Sequence, residues 1–413
     1  MTGTHTLEPA VADRYRDEFL EYLSQTVPGR KELVVTEAHG CTVVGSDGTE
    51  YLDLTSGIAV ANVGHTNPDV VSAVREMVGT MTHVNVYGRY VLPVQVDFAR
   101  ELASVTTADL DVSFLTNSGA EAIEGALKLG RKGSGRPGIL SFEGAFHGRT
   151  FGALSVTWKE RYRRPFEPLV PGVRFARFGD LASAEAAMTD DVGVCIVEPI
   201  QGEAGVIIPP DDFLPGLRAL CDAKGVVLIV DEVQGGMGRS GRWFSHQHWG
   251  IVPDVIVSAK ALGGGLPIGA FSARESLMAT FLDPMLSHLT TFGGNPVSCA
   301  AGLAAMRYIK ANDLVDRAAT LGTHLAARLD EMVRAGIGVR AYRCKGLWSA
   351  IDLEDDSITN TVVDEAQRRG VLIGSMLHND ATIRIVPPLV IEQAELDRGL
   401  DVIADAVVAI ARR

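Results

Sequence analysis

The stretch from Val226 to Pro267 does most to narrow what this chain can become. It carries V-V-L-I-V-D-E-V-Q, a glycine-rich turn, and then P-D-V-I-V-S-A-K-A-L-G-G-G-L-P. Val226–Val230 and Val255–Val257 are apolar, β-branched runs without the polar alternation of a half-exposed strand. Both therefore predict strands of a parallel sheet covered on two faces. Each run ends in charge, Asp231-Glu232 after the first and Lys260 after the second. Open parallel sheets gather ligands beyond the carboxyl ends of their strands, which puts Asp231 and Lys260 on one rim. A lysine and a carboxylate converging there suit pyridoxal phosphate chemistry. The lysine forms a Schiff base and the carboxylate keeps the pyridine nitrogen protonated. Carboxylates also end buried strands in other α/β enzymes, so the pair alone does not decide the chemistry.

At 413 residues the chain is too long for one small core and predicts a large domain with a smaller partner. No apolar run approaches the roughly 20 residues of a membrane span. The N-terminal stretch is acidic and broken by charge, unlike a signal or transit peptide. A net charge of −13 disfavours nucleic acid as a partner. The five cysteines are odd in number, widely spaced and free of C-x-x-C, which predicts reduced thiols in a cytoplasm and no zinc site. His246-Gln247-His248 has no acidic or thiol ligand at metal spacing and reads as loop.

In chain order, Tyr15, Phe19, Tyr22 and Leu23 predict an amphipathic helix ending before Pro28-Gly29. Thr42–Val44 and Tyr51–Leu54 flank S-D-G-T as a hairpin, and a helix is expected from about 68 to 77. The main sheet pattern begins at Val112. Strands are expected at 112–116, 138–142, 193–197 and 269–273, beside the two already named. Asn117-Ser118-Gly119-Ala120 leads into a helix over 121–132. Small residues there let an anion approach backbone N–H groups at a helix N-terminus, although a plain Asn/Ser cap explains the same residues. From about residue 300 two amphipathic helices (300–311 and 313–334), strands near 338–342, 347–353, 371–374 and 382–386, and a helix over 392–410 predict a smaller α+β domain. The expected division is residues 1–66 packing with the small domain, 67–299 as the large domain, and 300–413 as the small one.

Gly236-Met237-Gly238-Arg239-Ser240-Gly241 matches the dinucleotide fingerprint G-x-G-x-x-G. The segment after it, R-W-F-S-H-Q-H-W-G, has no helical period, and the preceding strand ends before the glycines. The match is expected to be a glycine-rich turn.

Seven segments in order carry a more specific resemblance: N-S-G-A-E-A, A-F-H-G-R-T, E-P-I-Q-G-E, D-E-V-Q, S-A-K-A-L-G-G-G, T-T-F-G-G-N-P and R-I-V-P-P-L. They span residues 117 to 389, and S-G-I-A-V with G-H-x-x-P extends them back to residue 57. The chain thereby resembles the class III aminotransferases, pyridoxal phosphate enzymes of the aspartate aminotransferase fold type. That resemblance implies an α/β fold with a large, mostly parallel sheet and a smaller α+β domain. It implies Lys260 as the Schiff-base lysine and proton shuttle, and Asp231 as the partner of the pyridine nitrogen. Ser118, Gly119 and Ala120 would hold the phosphate, Val233 and Phe146 would face the two sides of the ring, and Gln234 would meet its hydroxyl. Thr291 would reach the phosphate in a neighbouring subunit of a homodimer with shared active sites.

For substrate, the resemblance implies that Arg384 binds the α-carboxylate of an oxo acid and pairs with Glu203 when the amine donor is bound. It places Arg149 at the distal carboxylate and Ile58 in the substrate pocket. The bland alternative is that Glu203–Arg384 is a structural ion pair; the exchange is the expected reading. The family departs here at Gly235, where Ser or Thr is usual, and at Ala204, where Gly is frequent. The expected reaction moves a terminal amine to 2-oxoglutarate. A-L-S-V-T, R-R-P-F-E-P-L-V-P-G and the tail A-T-I-R-I-V-P-P-L are similar to putrescine enzymes, whereas A-F-H-G-R-T and S-G-I-A-V are similar to acetylornithine, ornithine and 4-aminobutyrate enzymes, and the sequence does not choose between them. An amino-acid racemase or epimerase on the same scaffold is the rival reading, and a non-catalytic cofactor-binding protein a further one.

Overall fold

The computed structural model describes residues 6–27, 31, 33–107 and 109–411. Its largest sheet has seven strands, numbered here in chain order: β1 (Val112–Thr116), β2 (Gly138–Phe142), β3 (Val173–Ala176), β4 (Val192–Val197), β5 (Val227–Asp231), β6 (Val255–Ser258) and β7 (Gly269–Ala273). They lie in the order β1-β7-β6-β5-β4-β2-β3. β7 pairs antiparallel with both neighbours, and the remaining pairings are parallel.

Strand periodicity divides the core in two. Val194, Ile196, Ile229 and Val257 face the helix Gly119–Ser134 through its Ala122, Ile123, Ala126 and Leu129. The alternate residues Cys195, Val197, Leu228 and Val230 face Phe213, Leu214, Leu217 and Cys221 of the helix Phe213–Lys224. Both faces are covered, so these runs carry no polar alternation, as the sequence predicts. The helix over 121–132 begins two residues early, at Gly119, capped by Ser118 Oγ accepting from Glu121 N at 3.2 Å. It ends on Gly135, which takes the left-handed conformation at φ 69°.

Two smaller sheets flank this one. Val35–His39, Thr42–Gly45 and Glu50–Asp53 form an antiparallel meander, to which Val371–Leu372 adds in parallel beside Glu50–Asp53. Val339–Cys344, Ser349–Leu353, Thr382–Ile385 and Gly374–Ser375 form the third sheet. The expected single strand over 371–374 is therefore two: the chain changes sheets at Ile373, a change of hydrogen-bonding partner that leaves no mark in hydrophobic periodicity. The helix Pro296–Ala311 packs on the helices Pro68–Thr80 and Pro93–Ala103. The N-terminal helix spans Pro9–Tyr22, with Tyr15, Tyr22 and Leu23 exposed; Pro28-Gly29 lie outside the described residues. The sequence reading did not anticipate the strands Val35–His39 and Val173–Ala176 or the helix Pro93–Ala103.

Two loop expectations are also clarified. The G-x-G-x-x-G segment is a run of turns, with no helix opening at its glycines. Its glycines answer to packing: a Cβ at Gly241 would lie 2.9 Å from Ala319 Cβ, and one at Gly238 3.0 Å from Leu389. His246 is a correction, because it is wholly buried in the short 3-10 turn Ser245–Trp249 rather than a loop residue. Its Nδ1 meets Glu232 Oε1 at 2.8 Å and its Nε2 meets Thr107 Oγ1 at 2.8 Å. Burial of the Glu232 carboxylate demands such a partner.

The approach of the helix Leu314–Arg334 to the turn at Gly346 gives a direct test. A Cβ at Gly322 would lie 2.4 Å from the Gly346 carbonyl oxygen, and backbone cannot yield as a side chain does. Gly322→Ala is expected to destabilise the protein by about 1–3 kcal/mol. Gly79→Ala, whose added methyl meets nothing within 4 Å, should be neutral or stabilising by up to about 1 kcal/mol. Urea midpoints of the two variants check the contrast.

Candidate active site

The carboxyl ends of β1, β2, β4, β5 and β6 open onto a cavity of about 500 Å³. Because β7 runs the other way, its approach segment Leu266–Ile268 closes the same rim. Of the residues singled out in the sequence, Ser118, Gly119, Ala120, Phe146, Asp231, Val233, Gln234 and Lys260 all line this cavity.

Lys260 follows β6 at the start of a 3-10 turn, with a left-handed φ of 52°. A non-glycine residue held there is strained, a feature that gathers at functional sites. Burial holds its ammonium below the usual lysine range; Arg384 pushes the same way, against Glu203 and Asp231.

Asp231 ends β5 and is buried. Its Oδ1 accepts from Val233 N at 2.9 Å and its Oδ2 meets His147 Nδ1 at 2.7 Å. Glu198, one residue beyond β4, accepts from Phe146 N at 3.0 Å and from Gly202 N at 2.9 Å. Burial pushes its carboxyl up to about 7; Asp231 adds to the rise while His147 and the two N–H donors oppose it. His147 and Glu198 both line the cavity; both sit within the segments that carry the resemblance, and the sequence singles out neither as a site residue. The signal for Glu198 was present, since it is a charge just past a buried strand, as Asp231 and Lys260 are. His147 gave no such signal, for only the fold brings it to Asp231.

The helix Gly119–Ser134 points its N-terminus at the cavity. A Cβ at Gly119 would lie 2.9 Å from Val233 Cγ1, so the absence of a side chain lets the wall close over exposed backbone. Glu203 and Arg384 come from separate parts of the fold, Glu203 from the loop after β4 and Arg384 from the strand Thr382–Ile385. They form an ion pair of 2.6 Å, each residue only 3% exposed. Gln234 Nε2 donates to the other Glu203 oxygen at 3.1 Å. Burial would raise the Glu203 carboxyl, but Arg384 and Lys260 outweigh it and hold it below the usual range. Gln234 Oε1 and the Nε and Nη1 of Arg384 are buried without a partner.

Arg149 is exposed and lies over the cavity-lining Phe146 ring at 5.2 Å. Thr291 and Ile58 are exposed, and they, like Arg149, Glu203 and Arg384, are not among the residues that line the cavity. Gly235 does not line it either, and answers to packing: a Cβ would lie 2.4 Å from Ser245 Oγ and 2.8 Å from Trp348.

The chain matches the model of the class-III aminotransferase family over residues 25–407. It is 43% identical to an acetylornithine aminotransferase of Methanopyrus kandleri, over 94% of this chain and 98% of that one. It is 40% identical to a putrescine aminotransferase of Pectobacterium atrosepticum, over 92% and 84%. An ornithine aminotransferase from Toxoplasma gondii superposes with a TM-score of 0.91 at 29% identity, covering 97% of this chain and 96% of that one. A second structure of that Toxoplasma enzyme is described with partial occupancy of pyridoxal phosphate at its active site. The chain belongs to the class-III aminotransferases, pyridoxal-phosphate-dependent enzymes that pass an amine from a donor to an oxo acid.

Proposed function

We propose that this site moves a terminal amine from a donor of the acetylornithine, ornithine, 4-aminobutyrate or putrescine type to 2-oxoglutarate. The observation that carries the reading is the buried Glu203–Arg384 pair beside Lys260. One pocket must accept an oxo acid with a carboxylate next to the reacting carbon, and a donor with none there. Arg384 keeps Nε and Nη1 unpartnered in the paired state, so a carboxylate displacing Glu203 meets a planar guanidinium able to bind it bidentately. When the donor is bound, Glu203 neutralises that charge again.

The residues fit the cofactor. The N-terminus of the helix Gly119–Ser134 offers N–H groups and a dipole to the phosphate. Gln234, whose Oε1 is buried without a partner, would accept from a ring hydroxyl, and the cavity-lining Phe146 and Val233 would face the ring. When bound, pyridoxal phosphate supplies the electron sink for the substrate carbanion. Asp231 would hold a proton at the pyridine nitrogen, with His147 fixing the carboxylate through its 2.7 Å contact. Lys260 Nζ would hold the cofactor at rest and would take and return the proton at the substrate carbon. Its depressed basicity favours the neutral amine this requires.

The same reading makes the protein a homodimer of the cytoplasm. Exposed Tyr90, Val91, Leu289 and Phe292 lie on two segments joined by Gln95 Nε2 donating to Gly294 O at 2.7 Å and Asn295 Nδ2 donating to Thr82 O at 2.9 Å. An apolar face of that kind, with Thr291 on it, supports a shared interface. The five free cysteines suit a reducing compartment, and no described helix is long and apolar enough to cross a membrane.

Four outcomes are expected. Sedimentation should give twice the 44.1 kDa chain mass; a monomer would remove Thr291 from the site. Lys260→Ala should lower turnover at least about 10⁴-fold while the protein still retains cofactor through the phosphate site; an active variant ends the assignment. Added one at a time, the four donors should include one that discharges the cofactor absorbance, with 2-oxoglutarate restoring it. Arg384→Ala should weaken the 2-oxoglutarate step on the order of a hundredfold and the donor step far less. Equal losses would make Glu203–Arg384 a structural pair.

A further inference from the structure

Beside the cavity, against the Phe146 ring that lines it, is a ring stack that the reaction above does not use. The Arg149 guanidinium lies 3.8 Å from the centroid of Tyr162, and Tyr162 stacks on His378 at 5.9 Å and 28°. The stack is anchored at its far end. Tyr162 Oη donates to Leu377 O at 3.1 Å, and Lys159 Nζ donates to His378 O at 3.0 Å. His378 Nδ1 donates to Gly144 O at 2.9 Å, and its backbone N–H donates to Glu203 O at 3.1 Å. Leu377 and His378 belong to the loop between the strands Gly374–Ser375 and Thr382–Ile385. One loop thus ties the ring that Arg149 rests on to the segments carrying Phe146 and Glu203.

We propose that Tyr162 is a specificity-determining positioning residue that holds Arg149 ready for a carboxylate on the end of the substrate remote from the reacting carbon. This rests on the assignment of Arg149 to that carboxylate. A stacked guanidinium spends its face on the ring and keeps its N–H edges for a ligand. Among the described residues no carboxylate pairs with Arg149, so those edges are available. An exposed arginine otherwise samples many rotamers, and fixing it beforehand lowers the entropy cost of binding. The effect is selective, because it reaches only substrates that carry the distal carboxylate.

The test uses enzyme charged with pyridoxamine phosphate, so that no donor need be known, and follows its single-turnover reaction with 2-oxoglutarate and with pyruvate, which lacks the distal carboxylate. Tyr162→Leu should raise the half-saturating 2-oxoglutarate concentration roughly tenfold, leave the maximal rate within about twofold, and leave pyruvate unmoved. Tyr162→Phe, which keeps the ring but loses the bond to Leu377, should stay near wild type. A Tyr162→Leu variant that shifts both acids alike, lowers only the maximal rate, or shifts nothing overturns the proposal. Arg149→Ala run in parallel separates the two readings. If it leaves the 2-oxoglutarate concentration unchanged, the Arg149 assignment fails; if it raises it while Tyr162→Leu does not, only the positioning role fails.

Discussion

Strands β4, β5 and β6 are buried on both faces, so a charge has nowhere to stand along them and can appear only where they end. That constraint organises the molecule. It places Glu198, Asp231 and Lys260 on one rim, within a cavity whose low polarity magnifies their mutual influence. The consequences show in protonation. Burial raises Glu198 and depresses Lys260, each toward its neutral form. Asp231 is held in place instead by His147 and Val233 N–H.

The Glu203–Arg384 pair obeys a different balance. Removing two charges from water costs more than their attraction reliably returns, so a buried pair is weak evidence of stability. Here the arrangement is incomplete in a particular way. Glu203 is satisfied by Arg384 and Gln234, whereas Arg384 retains two unpartnered nitrogens. A pair built only to hold the third sheet against the loop after β4 would gain by satisfying both partners. An arginine left short of acceptors is better suited to receiving a second carboxylate, which favours exchange over a purely structural bond.

The parts of the fold legible in the sequence were those governed by local rules. Buried parallel strands announce themselves through unbroken β-branched runs, and the turn into the helix Gly119–Ser134 through its cap and small residues. The rim residues followed from strand ends. The change of sheet at Ile373 was hidden because a strand that exchanges partners keeps one hydrophobic pattern. His147, Tyr162 and His378 were hidden for another reason. Their meaning depends on neighbours 84 and 216 positions away, Asp231 for His147 and His378 for Tyr162, and no local period encodes such a meeting. His246 looked like a polar loop residue because Glu232, which requires it, is drawn inside only by the packing around it.

The donor question turns on the asymmetry between the two ends of the pocket. In the proposed exchange, charge at the Arg384 end is adjustable: Arg384 presents positive charge to a carboxylate, or Glu203 cancels it for a donor without one. At the other end, Arg149 rests on aromatic rings and has no such acidic partner among the described residues. A fixed cation there favours substrates whose far end is a carboxylate and disfavours a second ammonium, as in a simple diamine. Like charges there repel, and solvent at an exposed site weakens that repulsion without reversing it. On that proposed assignment amino-acid donors rank above diamines, while sequence similarity divides between acetylornithine and putrescine relatives. Of the motifs that resemble putrescine enzymes, A-L-S-V-T and R-R-P-F-E-P-L-V-P-G include Ser155 and Arg163 around Pro168, outside the cavity. A-T-I-R-I-V-P-P-L, by contrast, carries Arg384 itself, so the likeness reaches the substrate end as well.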